Sequence, residues 1–176
     1  GTLSLEDCIT DIVAEPKEMT AEGERWGFQG EGRYAHDGML RASQWIRQDL
    51  EQHAAVLQEL VSTSPVSAST PLTQSYSLVI VGHSLGAGTA TLLSLSLKKE
   101  YPTLRCFAFG CPGSVVDLQT SEEMKCYVTS LCLGNDMFCR LSVDGLNILR
   151  EKVLDVIARA KVNKMVIMQA LFKEYV

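Results

Sequence analysis

Ser84 stands between two glycines in the run Val81-Gly82-His83-Ser84-Leu85-Gly86, the stretch of this chain best disposed for covalent chemistry. A serine hydroxyl is a weak nucleophile in neutral water, so a reactive one must be held clear of the backbone and beside a base. The G-x-S-x-G pattern achieves the first by a sharp turn from a strand into a helix. Gly82 and Gly86 then serve to keep side chains out of that turn. The apolar run Tyr76-Ser77-Leu78-Val79-Ile80-Val81 reads as the strand, and the apolar stretch from Thr89 as the helix. The chemistry expected is attack on an ester carbonyl, with the backbone amide of Leu85 as one donor to the oxyanion.

Such a serine needs a base, usually histidine, and an acid that orients it. Asp136 ends Leu133-Gly134-Asn135-Asp136, directly after the apolar run Tyr127–Leu133. A carboxylate at the carboxyl end of a parallel strand shares a rim with the serine, so Asp136 reads as the acid; the alternative is an Asn-Asp turn residue. No histidine follows Asp136, His36 and His53 precede the serine, and His83 lies inside the turn where it cannot take the base position. Either the base belongs to a longer parent protein, or this polypeptide cannot perform efficient serine catalysis. A second oxyanion donor is expected from a turn after an earlier strand, and Gly1-Thr2, running straight into a helix, has that form. The domain is therefore expected to be incomplete at both ends.

The elements that must position these residues follow from periodicity. Ser4 with Asp7 fits a capping box, and Leu5, Cys8, Ile9, Ile12 and Val13 continue at helical spacing to Pro16. Residues 15–38, rich in glycine and acid with Trp26, Phe28 and Tyr34 scattered through them, read as an irregular surface segment. Met39, Ala42, Ile46, Leu50, His53, Leu57 and Leu60 form one stripe, which predicts a single long helix with His53 at the core or its boundary. Residues 62–75 read as a flexible loop within one partial domain spanning 1–176. After the serine the pattern predicts a helix to about Glu100, a buried strand Leu104–Phe109, a helical piece Leu118–Met124 and a strand Tyr127–Leu133. Leu146 to Ala160 predicts another amphipathic helix, and residues 165–176 are ambiguous. Alternating strands and helices predict an α/β fold, a mostly parallel sheet flanked by helices.

The bulk composition excludes several other functions. The chain has 176 residues, 46% hydrophobic and 21% charged, enough for one core and ordinary for a folded domain. A net charge of −5 argues against nucleic acid as a partner. No apolar run is long enough to span a bilayer, and no signal peptide opens the chain, although flanks that are missing could hold both. Six cysteines without C-x-x-C spacing read as buried reduced thiols, with neither a disulfide framework nor a metal site expected. Gly30-Glu31-Gly32-Arg33-Tyr34-Ala35 matches a loose dinucleotide pattern, but no strand leads into it.

Taken in order, the chain resembles the class 3 lipases of the α/β-hydrolase fold, and within them the sn-1-specific diacylglycerol lipases. The resemblance rests on the opening Gly1–Ile12, Ala35-His36-Asp37-Gly38-Met39, Val81–Ala90, Tyr101–Ala108 and Leu133-Gly134-Asn135-Asp136. It implies Ser84 as nucleophile, Asp136 as triad acid, the amides of Thr2 and Leu85 as oxyanion donors, and a triad histidine outside this chain. It implies a glycerolipid substrate, hydrolysed at the sn-1 ester of diacylglycerol, and a segment Leu3–Val13 able to act as a lid. It also implies a plasma-membrane enzyme with a cytoplasmic catalytic domain, held at the membrane surface by segments outside this chain. No cofactor is needed for the chemistry, and calcium is suggested by the resemblance alone. Cys111-Pro112-Gly113 stands where these lipases usually have a double proline, and Phe138-Cys139-Arg140 replaces their Val/Ile-Pro-Arg after the acid.

Overall fold

The computed structural model of the chain describes residues 15–61, 76–161, 163, 165, 166 and 169. It has two compact units, Gly1–Leu141 and Ser142–Val176. In chain order the first contains β1 (Pro16–Glu18), α1 (Thr20–Trp26), β2 (Tyr34–His36), α2 (Asp37–Gln52), α3 (Ala54–Val61), β3 (Val79–His83), α4 (Leu85–Leu97), β4 (Arg105–Phe109), α5 (Leu118–Met124) and β5 (Val128–Leu131), followed by a 3-10 turn at Phe138–Arg140. The second contains α6 (Val143–Arg159), whose first turn is capped by the Ser142 hydroxyl accepting from the Gly145 amide at 3.0 Å.

Strands β3, β4 and β5 form a parallel sheet in that order. Parallel neighbours cannot be joined by a tight turn, so α4 carries the chain from β3 to β4 and α5 from β4 to β5. The strands end in register, with His83, Phe109 and Leu131 in one row across the sheet. Alternation along the strands divides the two faces. Cys106 and Ala108 are buried on the face that meets α4, while Val79, Val81, Phe109 and Leu131 are exposed on the other.

Helix α4 is the centre of the core. Ten of its residues are buried, from Ala87 to Leu97, which explains why it shows no single apolar stripe. Its hydroxyls survive burial by bonding to their own helix: Thr91 donates to the Ala87 carbonyl at 2.9 Å, Ser94 to Thr91 at 2.7 Å and Ser96 to Leu93 at 2.8 Å. Helix α2 packs along α4. Its Arg47 side chain, also buried, donates to the Ser96 carbonyl and to Glu100, and to Glu51 at 3.1 Å.

Residues 15–38 are not the irregular surface segment their composition suggests. Strand β1 pairs antiparallel with β2, Pro16 opposite His36, and Met19, Trp26, Ala35 and Arg33 are buried. The glycines serve close packing: a Cβ on Gly30 would lie 2.2 Å from the Met19 carbonyl oxygen. Elements of three to seven residues are too short to print a periodicity, so a packed segment looks featureless in sequence. The long helix also differs from expectation. It begins at Asp37, capped by His36 Nδ1 accepting from the Met39 amide at 3.3 Å, and it breaks at His53. The His53 carbonyl restarts the chain as α3 by accepting from Val56 and Leu57, and the imidazole is exposed rather than part of the core.

Candidate functional site

Ser84 occupies the turn between β3 and α4 at φ 55° and ψ −127°, a region that L-residues enter only under constraint. Two hydrogen bonds impose it. The Ser84 amide donates to the Phe109 carbonyl at 2.9 Å, and the Ser84 carbonyl accepts from Ala87 at 2.8 Å as the helix begins. The serine is partly exposed, at the carboxyl end of the sheet. Gly82 makes the turn possible, because a Cβ there would lie 2.2 Å from the Gly86 carbonyl oxygen and 2.8 Å from Ala87 Cα. Gly86 differs: a Cβ on it meets nothing within 4 Å among the described residues, so the steric role expected of it is not seen there. Leu85 opens α4, and the first amides of a helix have no acceptor within it. Its N–H is therefore available beside the serine, where the helix dipole also favours negative charge.

Asp136 reaches the same rim by a different route. Past β5 the chain turns through Gly134 at φ 58°. The Asp136 carboxylate accepts from the Phe138 amide at 2.9 Å through Oδ1. Arg140 ties the loop down by donating to the carbonyls of Asn135 at 2.6 Å and Asp136 at 3.4 Å. The other oxygen, Oδ2, faces Gly110, which follows β4 at φ 55°. A Cβ on Gly110 would lie 3.6 Å from Asp136 Oδ2 and 3.7 Å from His83 Nε2, so the carboxylate and the imidazole flank one point. That proximity has no signal in the spacing of the sequence, because it depends on the β3–β4–β5 register and on the loop of residues 132–137 after β5.

Thr2 and the segment Leu3–Val13 lie outside the described residues, as do Cys8 and the loop 62–75. The cysteines depart from the buried thiols expected. Only Cys106 of the described ones is buried; Cys111 and Cys139 are partly exposed, and Cys126 and Cys132 are exposed. Cys132, Asp136 and Cys139 form a group, their ligand-capable atoms all within 4.8 Å of one another. Burial, together with the Cys132 thiol and the Asp136 carboxylate, pushes the Cys139 thiol up to about 12. Burial likewise pushes Cys111 up to about 11. A cleft of ≈ 580 Å³ opens on the α4 side of β5, lined by Thr91, Cys111, Val115, Met124, Ser130, Cys132 and Cys139 among others. Neither Ser84 nor Asp136 lines it, so it is distinct from the serine's surroundings.

Comparison with known proteins places this arrangement. Residues 1–145 match the family Lipase (class 3). The chain is 36% identical over 160 residues to diacylglycerol lipase-alpha of Rattus norvegicus, covering 91% of this chain and 14% of that protein. It is 36% identical over 158 residues to diacylglycerol lipase-beta of Mus musculus, covering 90% of this chain and 21% of that one. The chain thus spans less than a quarter of the length of these relatives. A solved lipase from Rhizopus microsporus var. chinensis superposes over 83% of this chain and 46% of its own, with a TM-score of 0.58 at 19% identity, which shows a common fold. With a parallel sheet flanked by helices and a strand-turn-helix serine between them, the chain belongs to the class 3 lipase family and has the α/β-hydrolase fold.

Proposed function

We propose that this chain is the nucleophile-bearing part of a serine ester hydrolase acting on diacylglycerol or a related glycerolipid. The observation that carries the reading is the backbone of Ser84, held at φ 55° at the exit of β3 and the entrance of α4. A non-glycine residue in that conformation costs about 1–3 kcal/mol, and such residues cluster at active sites. Ser84 Oγ attacks the ester carbonyl and its proton passes to a histidine; the resulting oxyanion is held by the Leu85 amide and, by the family resemblance, by Thr2. Collapse expels the glycerol oxygen and leaves an acyl ester on Ser84, which water then cleaves. Asp136 is the acid that orients the histidine. Support comes from its position after a parallel strand and from the anchoring of its loop by Arg140. The chemistry needs no cofactor, and a calcium requirement would come from the resemblance alone. Diacylglycerol is named by the relatives, and membrane attachment, with the plasma membrane and a cytoplasmic catalytic face, belongs to the same reading. No helix among the described residues is long and apolar enough to cross a membrane.

A second reading takes the 176 residues by themselves, in which no histidine follows Asp136. On that reading the chain binds lipid or a partner protein without turnover. A fluorophosphonate probe separates the two. Labelling of the wild type but not of Ser84→Ala supports an assembled nucleophile, and release of fatty acid from diacylglycerol labelled in its sn-1 chain then reads turnover. Because the resemblance puts the triad histidine outside these 176 residues, the probe is applied to the longer parent protein, and failure of that wild type to label, with its fold intact by circular dichroism, sinks the hydrolase reading.

A further inference from the structure

The carboxylate at the rim has two thiols for neighbours, and neither is explained by ester chemistry. Cys132 follows β5, Cys139 sits in the 3-10 turn, and Asp136 lies between them in sequence. Their two Sγ atoms and a carboxylate oxygen lie within 4.8 Å of one another. In a tetrahedral site with metal–sulfur bonds of about 2.3 Å, neighbouring ligands stand about 3.8 Å apart. Small side-chain rotations close that gap, and the backbone is already curled around the position by the turn from Gly134 to Arg140. Two thiolates with one carboxylate match zinc and its borderline-soft relatives; magnesium and calcium prefer oxygen alone. Three protein ligands leave a fourth position open. Cys132 and Cys139 also line the cleft on the α4 side of β5, which supplies an entry path. Charge is compatible as well: three anionic ligands exceed the ion's charge by one, and Arg140 is tied to the same loop.

We propose that Cys132, Asp136 and Cys139 form a binding site for a zinc-type divalent cation, and that occupancy withdraws the Asp136 carboxylate from ester hydrolysis. The second half rests on the hydrolase reading; the first does not. Carboxylate bound to metal is no longer free to orient an imidazole, so the filled site is an off state. The loop holds either its catalytic hydrogen bond or the cation.

The test uses the whole chain, reduced with a phosphine and stripped of metal, titrated with Co²⁺. The expected result is one equivalent bound, with a near-ultraviolet thiolate-to-cobalt charge-transfer band and the intense visible bands of a tetrahedral centre, both erased by stoichiometric Zn²⁺. Cys132→Ser and Cys139→Ser should each lose the charge-transfer band and weaken binding at least tenfold, and Cys126→Ser should leave both unchanged. Cys132 is exposed, so its variant is expected to fold, and circular dichroism checks this. A wild type without the band, or a band that survives in both variants, overturns the site. Zinc should also suppress fluorophosphonate labelling of Ser84 in the longer parent protein, which carries the triad histidine on the hydrolase reading, but not in its Cys139→Ser variant; equal suppression in both overturns the off state. If the metal-free parent protein does not label at all while the cobalt band is present, the hydrolase reading and its off state fail and the cation site stands.

Discussion

The amide of Ser84 donates to the carbonyl of Phe109 at 2.9 Å, one rung beyond the last residue of β3. This bond continues the β3–β4 ladder into the turn and holds the serine at positive φ while the helix starts. Such a conformation costs a non-glycine residue about 1–3 kcal/mol.

Glycine at position 84 removes that cost and the nucleophile together. Ser84→Gly is expected to be about 1–2 kcal/mol more stable than Ser84→Ala in urea melts, with neither labelled by a fluorophosphonate. Equal stability of the two variants would mean the turn stores no strain.

The two glycines around the serine should separate cleanly. Gly82→Ala places a methyl 2.2 Å from the Gly86 carbonyl oxygen, where backbone must move, and is expected to cost about 3 kcal/mol. Gly86→Ala, with open space among the described residues, is expected to change stability by less than about 1 kcal/mol. Guanidinium denaturation of both variants checks this, and a reversed ranking would contradict the geometry.

Asp117 caps α5 and carries a pH dependence. Burial works to raise its carboxyl, but hydrogen bonds from the Thr120 hydroxyl and amide and the Tyr34 amide, with Arg33 nearby, outweigh it and hold the group below the usual carboxylate range. A carboxyl lowered by folding stabilises the protein fully above its unfolded value, about 3.9, and loses that contribution as pH falls through its folded value. Asp117→Asn should therefore be about 1 kcal/mol less stable than wild type from pH 5 to 8, and the gap should narrow below about pH 4. Thermal melts across that range read it; a gap that persists at low pH would assign the effect to capping geometry alone.

Thiol reactivity should follow burial. Cys126 is exposed and is expected to be alkylated by iodoacetamide at neutral pH, as read by peptide mass spectrometry. Cys111, pushed up to about 11 by burial, should lag and gain about tenfold in rate per pH unit up to that value. Rapid modification of Cys111 at pH 7 would show that its surroundings open.

The parts of this protein legible in its sequence are those written over long or sterically demanding stretches. The strand before Ser84, the buried helix after it and the alternation of strands with helices are set by local apolar patterning, and that patterning alone predicts a parallel sheet. Because parallel strands end on one side, the sequence alone puts Ser84 and Asp136 on one rim. Other features depend on contacts between residues far apart in the chain. Pro16 to His36 looks irregular because its pieces are too short to repeat a pattern more than once or twice, and only pairing with each other and packing on α4 give them form. His53 falls on an apolar stripe, yet α2 ends there and the ring is exposed. Cys139 is placed beside Asp136 and Cys132 by a loop whose closure depends on the Arg140 hydrogen bonds, not on spacing. Periodicity reports which face of an element is apolar; only tertiary packing decides which side chains from different elements meet, and the chemistry of the rim is made of those meetings.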